Sequence, residues 1–398
     1  MSTQAPPAPS MPLPADAVLL HIGPYKTGST ALQSALFARR EELGQYGVAY
    51  PGNWRRLFGI GHALMRWAPR GHPLPDVSRW DRFAAEVREM RDRRVCLSTE
   101  DFGRIRRLER SRKIVEDLGA DRLHVVAVAR AYHRLLPSHW QERVKNHERR
   151  TYDEWLREVL KGDETDEANR SFWTSHDMAW MTSRWLPYLP PDRLTVIVTD
   201  DSDRGVVPRT FEGLLGLPEG LLTLEDNVNA SLSFQGTELL RRLNLRFEDR
   251  GWSDRSYTTY LQRGVVPALQ AAGRSPLETP LPPLPGWAED LVRERSEARI
   301  AAIREAGVNV VGDLDRLLPP ADASGPAESV QADTVSLETA VSAVAGVVEA
   351  AQRREDELRR TPRSGPRAGG PRVADTSSRA MLAEVLRRQR RRFGRMRS

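Results

Sequence analysis

A chain of 398 residues with ordinary apolar content can form one large α/β domain with extensions, or two domains. Its single cysteine, Cys96, excludes an intramolecular disulfide and a cysteine-built zinc site, and no run approaches the ~20 apolar residues of a membrane helix. The formal charge of +6 is uneven: residues 353–398 hold 15 Arg against 5 Asp/Glu, a balance of +10, while the remaining 45 Lys/Arg against 49 Asp/Glu give −4. Nucleic-acid binding would therefore rest on the tail alone, and no specific nucleic-acid partner is expected.

Residues 1–16 read as a disordered leader, because Met1 to Pro14 is Pro/Ala/Ser-rich without a basic start or a long apolar core; a cytoplasmic setting follows. Val18 to Ile22 is an apolar, β-favouring run that breaks at Gly23-Pro24. A Lys-Thr-Gly-Ser-Thr cluster follows, then a helix pattern with Ala31, Leu32, Ala35 and Leu36 along one side. Tyr46 to Tyr50 reads as a short strand, 53–67 as an aromatic, partly helical stretch, and Trp80 to Arg93 as an amphipathic helix. Arg94 to Thr99 is a buried-type strand that encloses Cys96, a structural thiol, and ends at Glu100-Asp101. Arg104 to Leu118 is helical, and Leu123 to Ala129 is the strongest strand in the chain. Helices are expected over 137–146, 152–160 and 175–186, and another buried strand over 194–199. Strands alternating with helices imply βαβ units: an α/β fold with a central parallel sheet flanked by helices.

Downstream, 210–217 reads as a short helix, 227–233 as a polar loop, 234–247 as helix, 275–286 as Pro-rich and 287–305 as helix. The composition shifts to Pro/Ala/Ser/Gly after 318, so the α/β domain is expected to span 17–318. A linker, 319–376, would carry a helix near 334–360. In it Leu337, Val341, Val344, Val348, Ala351 and Leu358 follow a 4-3 spacing broken by Glu355. That seam serves either self-association over 337–358 or docking on its own domain. Residues 377–398 place Met381, Leu382, Val385, Leu386 and Phe393 among arginines. The tail is either a basic amphipathic helix for an anionic membrane surface or acidic partner, or a solvated tail.

Strand, glycine turn and helix start in that order make an anion cradle, since first-turn N–H groups point outward and the helix dipole favours negative charge. Lys26 adds a full charge, and Ser29 and Thr30 add hydroxyls. The nucleotide P-loop places Lys after its second glycine, whereas Lys26 precedes Gly28. The order G-P-Y-K-T-G-S-T-A-L-Q over 23–33 instead resembles the 5′-phosphosulfate loop of sulfotransferases that use 3′-phosphoadenosine-5′-phosphosulfate (PAPS), particularly bacterial sulfotransferase-like proteins. Arg130 closes the best strand, and Ser138, after Pro137, is expected near a helix start. The segment Arg130 to Ser138, with its continuation to Lys145, resembles that family's 3′-phosphate-binding segment. The resemblance covers roughly 17–245, and the two phosphate motifs are its specific parts. The G-x-x-G-x-W type loop of many members is missing, and the sequence leaves open whether 227–233 serves in its place.

The resemblance implies a P-loop-like sulfotransferase fold and transfer of a sulfuryl group from PAPS to a hydroxyl of a carbohydrate, glycolipid or secondary metabolite, with no metal required. Lys26, Thr27, Gly28, Ser29 and Thr30 would hold the 5′ end of the donor, and Arg130 and Ser138 the 3′-phosphate. Lys26 would neutralise the leaving oxygen and Glu100, at a strand end, would act as base. Asp101 and His62 are the alternative bases. Aromatics at 54, 58, 67, 140, 173 and 180 can line an acceptor pocket or fill the core. Two other readings compete: a P-loop-type kinase or nucleotide-binding enzyme, and a non-catalytic protein acting through its basic tail.

Overall fold

The computed structural model describes residues 11–52, 57–68, 73–223, 231–320, 324–325 and 332–360. The tail at 377–398 and residues 227–230 lie outside them. Contacts divide the chain into two compact units at Val347/Val348. The first holds every strand found among the described residues; of the second, helix residues 348–360 are described, and most of their side chains are exposed.

Among the described residues there are eight strands: β1 (Val18–His21), β2 (Val48–Ala49), β3 (Arg94–Ser98), β4 (Leu123–Ala129), β5 (Leu194–Val198), β6 (Leu284–Pro285), β7 (Asn309–Val311) and β8 (Ser324–Gly325). Six of them form one sheet in the order β2-β3-β1-β4-β5-β7, and every pairing is parallel. β6 and β8 form a separate parallel pair.

Both faces of the sheet are covered, as a parallel sheet requires. Val18, Leu20 and Ile22, with Val125, Ala127, Val196 and Val198, enter one core cluster. Leu19, Val126, Val128 and Ile197 enter the cluster on the opposite face. The period of two assigns alternate residues of each strand to opposite faces. Helices Ser78–Glu89 and Leu108–Leu118 supply Trp80, Phe83, Ile114 and Leu118 to the first cluster. Helices Ser29–Ala38 and Val206–Leu215 supply Leu32, Leu36, Phe211 and Leu214 to the other. A third, mostly helical cluster gathers Trp140, Trp155, Phe172, Leu240 and Tyr257. Cys96 is fully buried in β3, and burial raises its thiol pKa far above the ordinary range.

Strand order places the site. From β1 the chain leaves toward β2, on one side; from β4 it leaves toward β5, on the other. β1 and β4 are neighbours, so their carboxyl ends diverge into a crevice, the place where parallel α/β sheets bind ligands. The loop at 23–30 and Arg130 both begin there.

Two local expectations change. The helix expected over 137–146 spans Tyr132–Val144, with Pro137 inside it. Burial of Tyr132, Leu135, Leu136, His139 and Trp140 on one face outweighs the missing proline N–H. Ser138 therefore sits mid-helix and offers a side chain, not a helix start. The helix expected over 175–186 divides into Glu167–His176 and Met178–Ser183, because Asp177 caps the second by accepting from Trp180 N–H. Beyond residue 318 the chain still joins the first unit: Glu278 accepts from Ser336 N–H at 3.1 Å, and Ala343 packs in the helical cluster.

Candidate functional site

The loop after β1 is shaped by its backbone. Gly23, Lys26 and Gly28 have φ of 82°, 68° and 93°, and Gly28 is the residue from which the helix Ser29–Ala38 starts. At Gly23 a Cβ would stand 2.9 Å from Glu100 Cγ, so the positive φ and the missing side chain are both required. The Thr27 and Ser29 hydroxyls donate to the Pro24 carbonyl, at 2.8 and 3.3 Å, which ties the loop to itself. Its outward donors are therefore first-turn amides and the Lys26 ammonium.

These residues line a cavity of about 960 Å³. The cavity brings together Lys26, Gly28, Ser29, Thr30, Glu100, Arg130 and Ser138, from the ends of β1, β3 and β4 and from the following helix. Thr27 does not line it; its side chain is buried under the loop. Arg130 bridges the two phosphate motifs: its Nη1 donates to the Lys26 carbonyl at 3.2 Å, and its Nη2 lies 3.8 Å from Asp201. Burial lowers its pKa, Asp201 opposes that shift, and the guanidinium stays charged.

Of the three candidate bases, Glu100 lines the cavity and Asp101 and His62 do not. Glu100 follows the Thr99 cap and is 5% exposed, with Oε2 accepting from Gln33 Nε2 at 3.3 Å. The same Gln33 amide donates to Ser98 Oγ at 3.0 Å, and Ser98 pairs with His21 Nδ1 at 2.7 Å. This buried chain fixes Glu100 from below. Asp101 is engaged elsewhere: it accepts from the Tyr25 hydroxyl at 3.2 Å and from Thr99 Oγ1 at 3.3 Å, and stands 3.5 Å from His62 Nε2. Burial, with Asp101 and Glu100 adding to it, raises the Tyr25 pKa, so its hydroxyl remains a donor.

A scan of protein-family models, a search of curated proteins and a search of solved structures found no match to this chain.

The sequence reading missed much of the far wall. Gln141 clamps residue 232, donating to the Leu232 carbonyl at 3.0 Å and accepting from its N–H at 3.2 Å. That clamp brings Ser231 to the cavity, so the described end of the 227–233 loop stands in the same wall as Ser138. Glu142 and Lys145 also line the cavity; their spacing from Ser138, i+4 and i+7, was the available signal. Of the aromatic candidates, Trp67 lines the cavity and is 51% exposed, while Trp140 is fully buried in the helical core. Trp173 donates to the Val159 carbonyl, Trp180 is half-buried, and Trp54 and the Phe58 side chain lie outside the described residues. No helix among the described residues is long and apolar enough to cross a membrane.

Proposed function

We propose that this protein is a sulfotransferase with a P-loop-like sulfotransferase fold, of the bacterial type, which moves a sulfuryl group from PAPS to a hydroxyl of a carbohydrate, glycolipid or secondary-metabolite acceptor in the cytoplasm. The observation that carries this reading is the shared cavity. An anion-cradling loop with Lys26 and a second cationic clamp of Arg130 and Ser138 open into one space at the divergence of β1 and β4. A ligand with two separated anionic ends suits that arrangement, and a donor with a 5′-phosphosulfate and a 3′-phosphate has them.

The reaction is an in-line displacement at sulfur. The acceptor oxygen forms a bond to sulfur as the bond between sulfur and the bridging phosphate oxygen breaks. The electron pair passes to that oxygen, where Lys26 and the first-turn amides neutralise it, and adenosine 3′,5′-bisphosphate leaves. The acceptor proton goes to Glu100, held by Gln33. Trp67, at the mouth, offers an apolar face to an acceptor. No step requires a metal ion.

Calorimetric titration with adenosine 3′,5′-bisphosphate, beside ATP with and without magnesium, tests the reading. Metal-independent binding of the bisphosphate, lost in Arg130→Ala, supports it. A preference for Mg-ATP would place the kinase reading first. Residues 361–398 can be deleted in the same experiment: binding and turnover survive if the tail only tethers the protein.

A further inference from the structure

The wall facing the loop is the helix Tyr132–Val144 and the residue that closes it, Lys145. Ser138, Glu142 and Lys145 share one face of it and all line the cavity. One carboxylate oxygen, Glu142 Oε2, stands 3.5 Å from Lys26 Nζ and 3.6 Å from Lys145 Nζ. Two ammonium groups from two distant parts of the chain thus converge on a single anionic oxygen inside a cavity already lined with cations.

The two lysines differ from an ordinary surface pair. The Lys145 side chain is 12% exposed and that of Lys26 25%, whereas Glu142 keeps 43% and can swing toward solvent. The backbones of both lysines are anchored: the Lys26 carbonyl accepts from Arg130 Nη1 at 3.2 Å, and the Lys145 carbonyl accepts from Gln262 Nε2 at 3.3 Å. Burial lowers the Lys145 pKa, Glu142 opposes the shift and Lys26 adds to it. Burial alone would raise the Glu142 carboxyl, but the two lysines together hold it below its ordinary value. Removing the carboxylate would leave two like charges facing each other, which disfavours the empty site and favours any oxyanion that replaces it.

We propose that Lys145 is a second sulfuryl-binding lysine and that Glu142 is the internal counter-ion of the pair, occupying between Lys26 and Lys145 the place that a sulfuryl oxygen takes when the donor binds. This rests on the sulfotransferase reading. As the acceptor oxygen bonds to sulfur and the sulfur–oxygen bond to the phosphate breaks, Lys26 faces the departing oxygen. Lys145 holds a terminal oxygen of the group in flight, and the proton leaves through Glu100. Lys145 is thereby a catalytic residue for the sulfuryl group and has no task toward the bisphosphate product, which lacks it.

That difference is measurable by titrating wild type, Lys145→Ala, Lys145→Arg and Glu142→Gln with PAPS and with adenosine 3′,5′-bisphosphate. Loss of one charge-assisted contact predicts PAPS affinity falling ~10-fold or more in Lys145→Ala, with bisphosphate affinity within about twofold of wild type. Lys145→Arg keeps the charge and restores most of the loss. Glu142→Gln removes the competing carboxylate and tightens PAPS several-fold, which keeps the test open if Lys145→Ala fails to fold. The proposal is overturned if Lys145→Ala weakens both ligands equally or neither, or if Glu142→Gln weakens PAPS. Wild type that binds neither ligand removes the sulfotransferase reading and this proposal together. Tight bisphosphate binding with a PAPS affinity indifferent to residue 145 removes the proposal alone.

Discussion

The two walls of the cavity are built on different principles. The loop at 23–30 is compact in sequence and presents backbone: its three positive φ values aim the first-turn amides, while two of its hydroxyls turn inward to Pro24. The helical wall at 138–145 has its amides committed to helix bonds and presents side chains alone, two of them placed by partners far away in sequence. Gln141 is held by Leu232, and Glu142 by Lys26, 116 positions earlier. Geometry fixed by backbone conformation tolerates loss of a hydroxyl. Geometry fixed by rotamers and counter-ions is tunable, and single substitutions shift it.

Glu100, between the walls, gives the largest expected change. Glu100→Gln should lower sulfuryl transfer by ~10²–10⁴-fold, the span of general-base contributions, with bisphosphate affinity unchanged in calorimetry. On the loop wall, Lys26→Ala removes the one charged donor the backbone cannot replace. Turnover should fall ~10²–10³-fold and bisphosphate binding should weaken with it. Equal loss from a neutral loop substitution such as Thr27→Val would mean that the loop wall, too, depends on its side chains.

Acid probes both walls at once. Burial lowers His21, beneath the loop, to about 3, and burial reinforced by Arg143, Arg104 and Lys26 lowers His139, on the helical wall, to about 3. A histidine buried neutral binds its proton more weakly than in the unfolded chain, so its stabilising effect is complete above pH 6.5 and is lost as pH falls from there toward 3. Each should cost at most ~1.4 kcal/mol per pH unit in that window, read as a falling Tm between pH 6.5 and 4. His139→Asn or His21→Asn should flatten the slope; an unchanged slope would mean that these rings are not neutral in the fold.

The smallest effects separate the walls most cleanly. Thr27→Val should remove ~1 kcal/mol of stability and leave ligand affinity intact, because its hydroxyl serves Pro24. Ser138→Ala should do the reverse, with unchanged Tm and bisphosphate affinity lower by a few-fold, ~1 kcal/mol. Thermal unfolding and titration of the two variants side by side would decide it.

Much of the loop wall was legible because its signals are local. An apolar run, Gly23-Pro24, Lys26 before Gly28 and a helical period after Ser29 sit within 20 residues. They dictate strand, turn and helix without help from elsewhere. The same holds for β4, where Leu123–Ala129 is apolar at every position, as a strand covered on both faces must be. The helical wall was only half legible. Proline at 137 reads locally as a helix start, yet the helix begins at Tyr132 because the buried faces of Tyr132 and Leu135 pack against the third cluster. Burial of that face is a sum over the fold and cannot be read from the five residues before the proline.

By itself, the sequence determined five of the six strands of the main sheet, the loop and its lysine, the arginine that closes β4 and the acid that closes β3, since each depends on neighbours within a turn or a strand. The three-residue β7 and the β6–β8 pair were not legible there. Tertiary structure alone decided that β1 and β4 lie side by side with their connections diverging, and so that Lys26 and Arg130 share one cavity. It also decided which acid faces that cavity, Glu100, and that Glu142 stands between two lysines. Sheet order and ion pairs across more than a hundred residues are set by how helices cover two faces at once, and no local period in the chain encodes that choice.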